Sequence, residues 1–155
     1  QDDLAAAGVP PILGLSFDEV YTYFAGVGLQ YDDGSWFFSA EKARLDFGNW
    51  YPSSESGYVT VGKYLGKWMP MVTWAEVNPR DLDRSLPAVL NNGLKSWTGG
   101  LRYSLSDSIA LKGELSYYYD FSDSEVSTSG FFVTDGGQLE DDHATVVRLS
   151  ADLVF

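Results

Sequence analysis

The chain has 155 residues, of which 45% are hydrophobic and 15% aromatic, with 22 acidic residues against ten basic ones, a formal net charge of −12 and no cysteine. A chain this apolar folds, and its length suits one domain, residues 1–155. The acidity argues against a nucleic-acid partner, whose phosphates it would repel, and the missing thiols exclude a disulfide framework, a thiolate metal site and a cysteine nucleophile.

The longest apolar run, residues 4–15, is broken by Pro10 and Pro11 and is shorter than the roughly 18 residues a membrane-spanning helix needs. Residues 1–17 read as an extracellular loop entering the first strand. The chain begins at Gln1, without Met or signal peptide, which predicts a removed leader or an internal piece of a longer protein.

From residue 18 onward Tyr, Trp, Phe, Val, Thr and Gly dominate, helix periodicity is absent and turn clusters recur, an all-β pattern. The first strand is predicted over residues 20–31, followed by the tight turn Asp32-Asp33-Gly34, whose Asp-Gly suits the positive φ of short hairpins. The second covers 35–47, and a Ser- and Gly-rich loop covers 48–57. The third covers 58–65, and Gly66-Lys67 turns into the fourth, 68–77. Pro79, Pro87 and Asn91-Asn92-Gly93 mark a longer connection over 78–93. The fifth strand, 95–105, turns at Ser106-Asp107 into the sixth, 108–120. A long polar loop fills 121–142, and the seventh strand runs 143–155.

Strands of about 8–13 residues have the length that crosses a bilayer obliquely. Their connections alternate short and long, as in outer-membrane barrels with short periplasmic turns and long extracellular loops. In the last three strands the alternation is strict. Val147, Leu149, Ala151, Leu153 and Phe155 share one face, against Arg148, Ser150 and Asp152 on the other. Ile109, Leu111, Leu115, Tyr117 and Tyr119 oppose Lys112, Glu114, Ser116 and Asp120. Trp97, Leu101, Tyr103 and Leu105 oppose Ser96, Thr98, Arg102 and Ser104. An ordinary sheet would turn the oily rows into a core. Aromatics near the ends of those rows, among them Tyr21, Tyr31, Trp97, Tyr103, Tyr117, Tyr119 and Phe155, instead match girdles at two membrane interfaces. The register of 68–77 is undecided, because Met69-Pro70-Met71-Val72 is apolar throughout, and Pro70 predicts a bulge or bend. Lys42 falls in the oily row with Trp36 and Phe38, which places it near an interface where its amine reaches water.

Four stretches, VGLQYDDGSWFFSAE, YVTVGKYLGKWMPMVTWAEV, GLRYSLSDSIALKGELSYY and the closing VVRLSADLVF, together resemble the carboxy-terminal part of Gram-negative outer-membrane porins. The resemblance covers residues 26–155. It implies an antiparallel up-and-down transmembrane β-barrel of the 16-stranded trimeric type, passing small hydrophilic solutes without a cofactor. Phe155 matches the terminal aromatic that the barrel-assembly machinery reads in that family. Implied partners are outer-membrane lipid and either two further copies of the chain in a homotrimer or other chains that complete the barrel. Seven strands depart from the even number of single-chain barrels, so the chain is expected to be incomplete or closed by strands elsewhere.

No catalytic constellation is present, and no enzyme activity is expected. His143, beside Asp141 and Asp142, reads as a surface histidine, and no nucleophile elbow accompanies it. The loop acids Asp135, Glu140, Asp141 and Asp142 lack EF-hand spacing and read as solvated. Passive diffusion needs only shape and lining charge. The residues expected to line the pore are Arg102, Lys112, Glu114, Arg148, Asp152 and Glu41, and the acidic total suggests a preference for cations. Two alternatives keep the same strands. A soluble β-barrel ligand carrier would turn the oily rows inward. A closed outer-membrane barrel would serve as a structural or partner-binding platform.

Overall fold

A computed structural model describes residues 21–46, 53–80, 93–121 and 143–153. Seven strands form one sheet: β1 (Tyr23–Asp32), β2 (Trp36–Asp46), β3 (Ser53–Lys63), β4 (Trp68–Arg80), β5 (Leu94–Ser106), β6 (Ile109–Tyr119) and β7 (His143–Leu153). Each is antiparallel to the next, in the up-and-down order β1-β2-β3-β4-β5-β6-β7. There is no second layer among the described residues: each strand pairs only with its sequence neighbours, and β1 and β7 are open edges.

The three short connections explain the register. At the β1–β2 turn Asp33 Oδ1 accepts the amides of Ser35 (2.8 Å) and Trp36 (2.7 Å), Asp32 Oδ1 accepts the amide of Gly34 (3.0 Å), and Gly34 takes φ 77°. A side chain at that φ would be strained, so the Asp-Asp-Gly sequence builds the reversal from both sides. Gly66, at φ 64°, performs the same reversal between β3 and β4, where Leu65 and Trp68 pair. Between β5 and β6 the register shifts at Ser104/Ser106, and Ser106 then pairs with Ile109 to close the two-residue turn.

Three sequence expectations are corrected. The third strand starts at Ser53 rather than at residue 58: Ser54, Glu55, Ser56 and Gly57 pair with Leu45, Arg44, Ala43 and Lys42 on one side and with β4 on the other. Polar, turn-like composition yields here to hydrogen bonds from both neighbours. At Pro70 there is no bulge. Pairing between β3 and β4 stops at Gly62↔Met71, one residue short of it, so the missing N–H interrupts no rung on that side. The fourth strand also runs to Arg80, three residues beyond the expected end. Residues 1–17, Phe155 and the acids Asp135, Glu140, Asp141 and Asp142 lie outside the described residues.

Candidate pore-lining face

Alternation sorts the strands into two faces, and the register carries each row across the sheet. On one face Tyr31, Phe38, Val61, Val72, Gly99, Leu115 and Val147 stand in line from β1 to β7. The neighbouring rows bring Leu29, Ala40 and Val59 beside Trp74, Trp97 and Tyr117, and, nearer the short turns, Trp68 beside Tyr103, whose rings lie 4.4 Å apart. Aromatics thus flank an aliphatic band. Lys42 lies in this row, as expected, and pairs with Glu55 at 3.6 Å. Beyond the band, at the end of the long connections, Glu55 also takes Arg44 (4.0 Å) and Arg80 (3.0 Å), and Arg44 takes Asp46 (3.3 Å).

The opposite face is polar. Gln30, Ser39, Thr60, Thr73, Thr98 and Ser116 stand directly opposite one another across six strands, an uncharged hydrogen-bonding belt. The hydroxyls of Thr60 and Thr73 pair at 2.8 Å, as do those of Thr98 and Ser116, and Ser39 lies 3.3 Å from the Tyr58 hydroxyl. These pairs satisfy one another and tie adjacent strands together.

Toward the short turns the belt gives way to charge: Asp32 at the end of β1, which accepts the Tyr64 hydroxyl, and a larger group on β5–β7. Arg102 stands directly opposite Lys112, and Glu114 directly opposite Arg148. Lys112 Nζ reaches Glu114 Oε1 at 2.8 Å and Arg148 reaches Glu114 Oε2 at 3.5 Å, while Arg102 donates to the Ser104 hydroxyl at 3.1 Å. Asp152 lines the same concavity, of about 500 Å³, together with Tyr58, Thr60, Tyr64, Met69, Met71 and Thr73. The structure therefore gathers five of the six expected lining residues into one group. Glu41 also lies on the polar face, but three strands away, opposite Gly28 and Tyr58.

The neutral part of this face on β3 and β4 escaped sequence reading. Met69, Met71, Thr73 and Tyr58 carry no charge to mark them. The pairing of β4 with β5 assigns the methionines and Thr73 to the polar row, putting Met69 opposite Arg102 and Thr73 opposite Thr98, and no short turn joins those two strands to announce it. The methionines fill glycine gaps: a Cβ on Gly62 would meet Met69 Cε at 2.8 Å, and one on Gly100 would meet Met71 Cγ at 2.8 Å.

The polar face is also the enclosed one. Met69, Ala110, Thr60, Ser96 and Ser116 are buried and all lie on it, whereas Leu149 is 82% exposed and Val27 72% on the apolar face. Ser53, at the start of β3, is the exception. His143 is exposed on the apolar face, its ring 5.6 Å from that of Tyr117. No group of three His, Cys, Asp or Glu residues positioned to hold a metal occurs among the described residues. In the β3–β4 turn, burial raises the Tyr64 pKa, as does the hydrogen bond it donates to Asp32 (2.9 Å), against the opposing effect of Arg102.

No protein-family model, curated protein or solved structure matches the chain. The functional reading rests on the two faces alone.

Proposed function

We propose that this chain forms part of the wall of a transmembrane β-barrel in the outer membrane of a Gram-negative bacterium, and that the barrel lets small hydrophilic solutes diffuse passively. One observation carries this reading: the hydroxyl-bearing and charged face is concave and enclosed, and the apolar face is the exposed one. A soluble ligand carrier requires the reverse, with oily rows around the ligand and polar rows in water.

The dimensions support it. On β6 the outward residues from Ile109 to Tyr119 are uncharged; they extend about 33 Å along the strand, or roughly 25 Å at a tilt near 40°, the height of the apolar band of such barrels. In hydrocarbon the exposed Val, Leu and aromatic side chains on this face gain about 25 cal/mol for each Å² withdrawn from water. The open edges at β1 and β7 call for further strands, since an unpaired backbone row is unfavourable in lipid.

Two measurements test the proposal together. The native protein is expected in the outer-membrane fraction, released by detergent alone, and to produce discrete conductance steps in a planar bilayer. A protein that stays soluble without detergent sinks the membrane reading. One that inserts but conducts nothing favours the closed structural barrel.

A further inference from the structure

The long polar connections have been the natural place to look for selectivity in an acidic chain, but the charge is unevenly divided. Residues 1–20, 47–52, 81–92, 122–142 and 154–155 contain 12 of the 22 acidic residues and one of the ten basic residues. The described residues therefore hold ten acids and nine bases, nearly balanced. On the polar face of β5–β7 the balance tips the other way, with Arg102, Lys112 and Arg148 against Glu114 and Asp152.

Within that group Arg102 and Lys112 occupy directly opposed positions on neighbouring strands. Like charges placed so are unfavourable to the sheet. One row further along, Glu114 faces Arg148, the arrangement that stability alone selects. Lys112 is also held by Glu114, but that carboxylate is shared with Arg148, and no carboxylate lies within 4.0 Å of Arg102 among the described residues. The opposed cations border the concavity of about 500 Å³, whose other walls offer the hydroxyls of Tyr58, Thr60 and Thr73.

We infer that Arg102 and Lys112 form a resting station for small organic anions on the lumen wall, with neighbouring hydroxyls taking the solute's remaining acceptors. The inference rests on the channel reading and specifies its solute class. An anion between the two side chains removes their mutual repulsion. Glu114 and Asp152 leave only one net positive charge, so the anion is held weakly enough to leave again, as conduction requires.

The intact protein in a planar bilayer under a potassium chloride gradient tests this through its zero-current potential. Replacing both cations, Arg102→Gln with Lys112→Gln, is expected to lower the chloride-to-potassium permeability ratio by about fourfold or more, the effect of two unit charges roughly 10 Å from a passing ion in water. Glu114→Gln, which removes an acid from the same group, is expected to raise the ratio, and Arg102→Lys to leave it unchanged. Succinate is expected to reduce chloride current through the native channel and not through the double variant. A ratio indifferent to both the double variant and Glu114→Gln overturns the station while leaving the channel reading intact. An intact protein that inserts and carries no current overturns both.

Discussion

Gly99 and Gly100 are adjacent in β5, yet they belong to different surroundings. A Cβ on Gly99 would meet nothing within 4 Å, whereas one on Gly100 would strike Met71. The same contrast holds between Leu115, which is 55% exposed, and the neighbouring Ser116, which is buried. One face of this sheet is packed with its own side chains and the other is bare. A soluble sheet normally has it the other way, with the apolar side filled. The difference teaches that packing inside this sheet serves to shape a polar concavity, while the apolar side relies on whatever surrounds it.

Charge on the bare side should break this arrangement most severely. Leu149→Arg is expected to destabilise the protein folded in lipid vesicles by about 2–4 kcal/mol, the cost of an arginine near the bilayer midplane. Ser150→Arg, one residue on and on the polar face opposite Lys112, should cost less than about 1 kcal/mol, the like-charge penalty across strands. Urea unfolding from vesicles reads both, and equal losses for the two would contradict the assignment of faces. Volume should discriminate next. Gly100→Val has to displace Met71 and is expected to cost about 1–3 kcal/mol, whereas Gly99→Val should be neutral or slightly stabilising, because valine suits a strand. The same urea midpoints measure it.

The smallest effect is expected at the β1–β2 turn, which is exposed to water. The Asp33 carboxyl is held below the ordinary carboxylate range by hydrogen bonds from the Trp36 amide, the Ser35 amide and the Tyr31 hydroxyl. A carboxyl lowered on folding adds stability above its unfolded value of about 3.9 and loses it as pH falls through the lower folded value. The unfolding midpoint should therefore slip slightly as pH drops below about 4. Asp33→Asn should lower the neutral midpoint and flatten that slope; an unchanged slope would show that the turn does not depend on the charge.

The strands β5–β7 were legible in the sequence because each is a strict two-residue alternation. There a charged residue such as Lys112 or Arg148 falls unambiguously on one side. The first turn of β3 was not, since Ser53-Ser54-Glu55-Ser56-Gly57 has loop composition and is held extended by long-range partners, including the three cations around Glu55. In β4 both rows are apolar, so only pairing with β5 decides that Met69 and Met71 face the concavity. The charged half of the candidate site was likewise visible residue by residue. What a single sequence does not display is the opposition of Arg102 and Lys112, because cross-strand register depends on where each turn closes.

The ion-paired patch of Lys42, Arg44, Glu55 and Arg80 lies beyond the aromatic row on the bare side. In a bilayer it acts as a depth stop. Sinking the sheet by two residues, about 7 Å along the strands, would draw these four charges toward hydrocarbon, where each Lys or Arg costs up to roughly 2–4 kcal/mol. Raising it equally would lift Trp68 and Tyr103 out of the opposite boundary. On the proposed reading, the level at which Arg102 and Lys112 would stand in a membrane is set by side chains on the opposite face of the sheet.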